Sequence, residues 1–292
     1  MQKIIILMLV FAYITTSCNA QNSPPKEILR ELKKDKKNTE QEITKKIKNI
    51  PFETLEIEGH KVDIQNPDNE IIGNILVLPG WDFPRTDWCK NSDLCKKALA
   101  KGYRLILPEM GRSIYSADFY AETLVDWKKF PNKKWVVEQL IPYLQKERKI
   151  FIKKEKSFIV GLSTGGRGVA LLSLALPEIW TACASLSGDF DQSLLPNDRL
   201  MIGYYGSYQK FKNRWLGEDN PLQQAKNFKT PIYLGHSKQD NIVPINQTQL
   251  FYEALKKNQP KLKVKLNLID GGHDYKYWNK EVENILQFFG EF

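Results

Sequence analysis

The sequence predicts an α/β fold in which a mostly parallel sheet of eight strands carries helices on both faces, and three observations predict it. From residue 52 onward, short β-branched apolar runs alternate with longer segments of helical period. One of those runs, residues 157–160, passes through Gly161-Leu-Ser-Thr-Gly165 directly into the buried helical stretch Val169-Ala-Leu-Leu-Ser-Leu-Ala. Finally, the residues with chemical potential, Trp81, Ser163, Asp240 and His273, each follow the carboxyl end of a run, which is where ligands sit in sheets of this kind.

The first twenty residues stand outside that pattern. Lys3 supplies a minimal positive start, residues 4–14 an apolar stretch, and residues 15–20 small side chains before Gln21, which together make a secretory leader too short to span a bilayer stably. Two processing routes share these residues. Cleavage after Ala20 releases the chain, whereas Thr15-Thr-Ser-Cys18 also fits a lipoprotein signal with a lipid anchor on Cys18. Thr15 stands where a large aliphatic residue is usual, which favours release and a periplasmic or secreted location. Residues 21–50 form a charged extension with apolar residues at helical spacing, ended by Pro51, and residues 51–292 form the folded domain.

The formal charge of +9 suggests nucleic acid until it is located. Lys26 to Lys48 holds nine basic against five acidic residues, about half of the excess, and no basic stripe interleaved with aromatics follows. Nucleic acid is therefore not an expected partner. Beyond the leader, an exported chain keeps Cys89, Cys95 and Cys183. The first two close a short loop and can pair, Cys183 sits in an apolar run as a packing residue, and no Cys/His cluster suggests a metal.

Within the domain, residues 54–58 and 61–65 alternate polar and apolar around Gly59-His60, as an edge hairpin does. Residues 71–78 are a continuous, buried strand ending in Pro79-Gly80-Trp81-Asp82. Gly80 permits a tight turn there, so the N–H of Trp81 can face the glycine-flanked serine. A helix over 92–101, a strand over 103–107 and a helix over 133–147 lead to the strand before Ser163. A strand over 181–186 follows. Residues 188–230 lack a long period and predict short helices capping the site. The last two units are a strand at 231–235 with a helix at 246–257, and a strand at 263–269 with a helix at 277–289.

A serine at the tip of a strand-to-helix turn is strained, and its neighbours two positions away must lack a Cβ for strand and helix to pass closely. This nucleophile elbow lifts the Ser163 hydroxyl clear of the sheet and turns the N–H of Thr164, at a helix N-terminus, toward an oxyanion. A phosphate loop would need a different ending, with Lys before Ser or Thr, which is absent. A serine nucleophile needs a base, and the base a group that fixes its tautomer. Of three histidines, His60 reads as a turn residue between edge strands and His236 as a packing residue ahead of the acid. His273, in the Gly-Gly loop after the last strand, is the base. Asp240 then gives the order Ser, Asp, His, while Asp189, Asp191, Asp270 and Asp274 read as turn or capping residues.

With Gly161-Leu-Ser-Thr-Gly-Gly-Arg-Gly168, Gln239-Asp-Asn-Ile-Val-Pro244 and Gly271-Gly-His-Asp-Tyr-Lys-Tyr-Trp278 in view, residues 52–292 resemble the α/β-hydrolase superfamily. Within it they are similar to the esterase D and S-formylglutathione hydrolase group. The resemblance implies nucleophile Ser163, acid Asp240, base His273, oxyanion donors Trp81 and Thr164, and no metal or organic cofactor. It departs at the oxyanion loop, which reads Pro-Gly-Trp where His-Gly is usual, and export argues against formaldehyde detoxification. The expected substrate is a small-molecule or polysaccharide-linked ester, such as an acetyl or feruloyl ester. Three alternatives stay open. One is a thioesterase, another a non-catalytic binding protein on the same fold. The third is a peptidase of the prolyl-oligopeptidase type, which shares G-x-S-x-G-G and the Asp before Val-Pro but usually carries a large N-terminal domain.

Overall fold

The computed structural model describes residues 53–292, so the leader, the charged extension and Cys18 lie outside the described residues. Strands β1 (Glu53–Ile57) and β2 (His60–Gln65) form an antiparallel hairpin turned at Glu58-Gly59, both with positive φ. Strand β3 (Gly73–Leu78) is buried along its whole length. Helices α1 (Asp87–Asn91) and α2 (Leu94–Ala100) then precede β4 (Tyr103–Pro108). Helix α2 is the helix expected over 92–101; α1 forms in the aromatic-rich loop before it, and a disulfide between Cys89 and Cys95 ties the two together across Ser92-Asp93.

Helix α3 comprises Lys133–Trp135, a π-helical turn Val136–Leu140 and Ile141–Arg148. Pro142 has no N–H to donate to the carbonyl of Glu138, so the regular ladder is interrupted where that bond would fall. Strand β5 (Ser157–Leu162), helix α4 (Thr164–Ala175) and strand β6 (Ala182–Leu186) follow. The capping segment holds α5 (Arg199–Tyr205), α6 (Lys212–Trp215) and short 3₁₀ turns, as its aperiodic sequence predicts. Strand β7 (Ile232–Ser237), α7 (Asn246–Asn258), β8 (Val264–Ile269) and α8 (Tyr275–Gly290) complete the chain.

The strand order is β1-β2-β4-β3-β5-β6-β7-β8. Only the pairings of β2 are antiparallel, and every other neighbouring pair is parallel, giving the predicted sheet. The chain steps from β3 to β4 on one side and then returns to β5 on the other, so connections diverge above β3 and β5. That divergence opens a crevice at the carboxyl ends of these two strands.

Helix α4 lies under the sheet centre and is buried from Thr164 through Ser173, which explains why Val169 to Leu172 are apolar without a break. Helix α8 is amphipathic instead. It buries Tyr277, Trp278, Val282, Ile285, Leu286, Phe288 and Phe289, and each such side chain contributes roughly 1.5–3 kcal/mol by leaving water. Phe289 stacks on Phe158 of β5, so this last helix anchors to the strand that carries the elbow. Among the described residues, no helix is long and apolar enough to cross a membrane, and no cluster of His, Cys, Asp and Glu could hold a metal ion.

Candidate active site

Ser163 has φ +55° and ψ −125°, a conformation an L-residue adopts only under constraint. The constraint comes from its neighbours. A Cβ on Gly161 would overlap the carbonyl of Gly165, and one on Gly165 would lie 2.5 Å from the carbonyl oxygen of Pro79. Strand, turn and helix therefore fit only with glycine at both places. The amide of Ser163 donates to the Leu186 carbonyl at 2.9 Å, which continues the β5–β6 pairing to the elbow tip.

His273 arrives from the Gly-Gly loop after β8, and its Nε2 lies 2.9 Å from Ser163 Oγ. Its Nδ1 lies 2.7 Å from Asp240 Oδ2. Asp240 in turn accepts the N–H groups of Ile242 and Val243 on Oδ1, at 3.0 and 2.9 Å. Burial would raise its pKa, but hydrogen bonds from His236 and His273, the charge of His273 and the Val243 N–H outweigh that and hold the carboxyl well below the ordinary range. Three residues separated by 33 and 110 positions from His273 or one another are thus joined in one hydrogen-bonded line, as their order in the sequence led us to expect.

The two loops that deliver Asp240 and His273 are stitched to each other. Gln239 Oε1 accepts the Gly271 N–H at 2.8 Å, and Ser237 Oγ donates to the Gly271 carbonyl. His236 is fully buried beneath them, as a packing residue should be. It also has polar work: Nε2 donates to the Val243 carbonyl at 2.9 Å and lies 3.4 Å from Asp240 Oδ2, while Nδ1 accepts from Thr248 Oγ1 at 2.6 Å. His60 opens β2 and packs edge-on against Trp135, away from these groups.

Trp81 and Thr164 both line a cavity of about 250 Å³ that opens over Ser163 and His273. A Cβ on Gly80 would come within 3.4 Å of Ser163 Cβ, so the turn after β3 runs directly against Ser163. Two buried side chains fix that turn from below: Trp88 Nε1 donates to the Leu78 carbonyl at 3.0 Å, and Tyr115 OH donates to the Pro79 carbonyl at 2.9 Å. Tyr115 itself has positive φ, a strained state for an aromatic residue. Neither residue was singled out by sequence, since nothing local marks a side chain that reaches 36 positions back along the chain.

Arg167, in the first turn of α4, is entirely buried. It donates to Asp189 Oδ2 at 3.0 Å, Gln192 Oε1 at 2.9 Å, Tyr205 OH at 3.1 Å, the Ile114 carbonyl at 3.2 Å and the Asp219 carbonyl. This corrects the reading of Asp189 as a turn or cap residue, because its carboxylate is buried against an arginine in the cavity wall. Burial raises its pKa, an effect that Arg167 partly offsets. Asp191 and Asp274 do cap, accepting the N–H groups of Ser193 and Tyr277, and Asp270 sits exposed beside Gln239.

A family model described as the prolyl oligopeptidase family matches residues 99–292, a span that contains Ser163, Asp240 and His273. An acetyl esterase of Caldicellulosiruptor saccharolyticus is 23% identical over 240 residues, covering 77% of this chain and 85% of that protein. A fluorophosphonate-binding serine hydrolase of Staphylococcus aureus superposes with a TM-score of 0.66 at 16% identity, covering 82% of this chain and 98% of that one. The S-formylglutathione hydrolase of the same organism gives 0.64, with the same identity and coverage. At such identities the structural likeness establishes the fold, and the fold is that of the α/β-hydrolases.

Proposed function

The chain belongs to the prolyl oligopeptidase family and is a serine hydrolase of the α/β-hydrolase fold, and from that premise we propose an exported esterase that cleaves carboxylic esters through Ser163, His273 and Asp240. One observation carries this reading: the unbroken line from Ser163 Oγ through His273 to Asp240, with contacts of 2.9 and 2.7 Å, at the tip of a strained elbow.

In the resting state the Nδ1–H of His273 donates to Asp240, which leaves Nε2 as the acceptor for the Ser163 hydroxyl. Attack on an ester carbonyl transfers the hydroxyl proton to Nε2, and the buried Asp240 carboxylate stabilises the imidazolium that results. Negative charge develops on the former carbonyl oxygen. The amides of Thr164, at the N-terminus of α4, and Trp81, on the turn beside Ser163, are the donors proposed for it; neither has an acceptor among the described residues. Each such donor is worth on the order of 10²- to 10³-fold in rate. The imidazolium then protonates the departing alkoxide, and water repeats the sequence on the acyl-enzyme. No step calls for a metal or an organic cofactor.

Export is supported by the leader sequence over residues 1–20 and by the Cys89–Cys95 disulfide, a bond that persists in oxidising compartments. An acyl group on a polysaccharide is the substrate we favour, in keeping with export and with the acetyl esterase relative. Family membership supports a second reading, cleavage of a peptide bond by the same groups. A panel of p-nitrophenyl esters of rising chain length, beside acetylated and feruloylated glycans and a dipeptide amide, separates the two. Ester turnover exceeding amide turnover by orders of magnitude supports the esterase, and the reverse ranking overturns it.

A further inference from the structure

Resting on the esterase reading, we propose that Asp189 is a specificity-determining acceptor that selects esters carrying a hydroxyl group within reach of the scissile bond. The cavity above Ser163 is walled mainly by apolar side chains, among them Phe83, Leu195, Met201 and Val243. Besides Ser163, His273, Thr164 and Trp81, three polar side chains line it. Gln192 is fully engaged, its Oε1 accepting from Arg167 and its Nε2 donating to the Trp215 carbonyl at 2.7 Å. Asp198 caps α5 by accepting the Met201 N–H at 2.9 Å. Asp189 is the exception. It is 7% exposed, Oδ2 is held by Arg167, and no second side chain among the described residues donates a hydrogen bond to its carboxylate.

A carboxylate that lines a mostly apolar cavity can accept a hydrogen bond from a ligand, and a bond to a charged acceptor is stronger than one between neutral groups. The kind of donor follows from charge. Arg167 lies 3.0 Å from Asp189 and is itself completely buried, so the carboxylate's charge is already balanced and a neutral hydroxyl suits it better than a cation. The ion pair also fixes the carboxylate in one orientation, which a recognition group needs. Asp189 follows β6, and Gly188 before it packs against Gly166 of α4, which places the acceptor one helical turn from the elbow. A hydroxyl there can come from either side of the ester: a phenol on a hydroxycinnamoyl acyl group, or a neighbouring hydroxyl on a sugar alcohol. A site built to hydrogen-bond a hydroxyl rejects the analogue lacking it far more strongly than an apolar pocket rejects a missing methylene.

The test uses two matched pairs with the mature enzyme: methyl 4-hydroxycinnamate against methyl cinnamate, and a mono-O-acetyl sugar against cyclohexyl acetate. The expected result is a kcat/KM ratio of about 10- to 100-fold in favour of the hydroxylated member of one pair, and the pair that shows it identifies the source. In Asp189→Asn the ratio should fall to within about threefold of unity. Wild-type ratios near unity in both pairs overturn the proposal, as does an Asp189→Asn enzyme that keeps the preference. Should that variant not fold, the wild-type ratios decide alone. p-Nitrophenyl acetate separates this failure from that of the esterase reading: turnover with flat ratios sinks only the role of Asp189, and no turnover of any ester sinks both.

Discussion

At the scale of the residue, Asp240 shows how much can depend on one carboxylate. It receives two backbone N–H groups, approaches His236 and orients His273, so replacing it with Asn should leave the loop in place while presenting the wrong tautomer to Ser163. We expect Asp240→Asn to lower kcat by on the order of 10⁴-fold with circular dichroism unchanged; a loss under tenfold would remove Asp240 from the relay. Its pH signature has a definite sign. The folded pKa lies below the unfolded one, so the stabilisation is fully present above about pH 3.9 and is lost as pH falls from there toward the folded value. Urea midpoints measured below pH 4 should therefore fall more steeply for the wild type than for Asp240→Asn, and parallel curves would contradict this. Ser163, Asp240 and His273 were legible because glycines and chain order mark them locally. The pairing of Arg167 with Asp189 was not, because it joins residues 22 positions apart through burial that no sequence period announces.

At the scale of the element, the turn after β3 is the part to probe. Its carbonyls at Leu78 and Pro79 are held by Trp88 and Tyr115, which fix the turn that carries Trp81, the proposed oxyanion donor. Tyr115→Phe keeps the ring packed against Gly168 and removes only the bond to Pro79. We expect kcat to fall by about 10-fold, within the range of a damaged oxyanion donor, while KM stays within twofold. A purely structural role would instead lower the melting temperature and leave kcat unchanged. The disulfide joins α1 to α2 across a separation of six residues, and a loop that short contributes about 2 kcal/mol in the chain-entropy model. Cys89→Ser with Cys95→Ser should accordingly lower Tm by about 4–8 °C in scanning calorimetry, whereas an unchanged Tm would deny the bridge any part in stability. Every strand and the long closing helices were readable from period and punctuation. Helix α1 and the π-turn of α3 were not, since a single helical turn in an aromatic-rich loop and a missing donor at Pro142 barely alter an apolar pattern.

At the scale of the whole molecule, the sheet order places the ends of β3 and β5 side by side, and the proposed catalytic residues converge there from four separate loops. Strand alternation in the sequence was enough to expect a parallel sheet, yet the order of its strands became visible only in the fold. The proposed export has its own test: intact-mass analysis of the protein recovered from its native host should find Gln21 at the mature N-terminus, and a diacylglyceryl mass on Cys18 would replace release with lipid anchoring. Ser163 as the nucleophile is open to labelling with a fluorophosphonate followed by intact-mass spectrometry. Its side chain lies in the open cavity rather than in the core, so Ser163→Ala should fold as the wild type does. We expect one phosphonyl adduct per wild-type chain, mapped to Ser163, and neither adduct nor ester turnover in Ser163→Ala; labelling or turnover that survives in the folded variant would rule Ser163 out as the nucleophile.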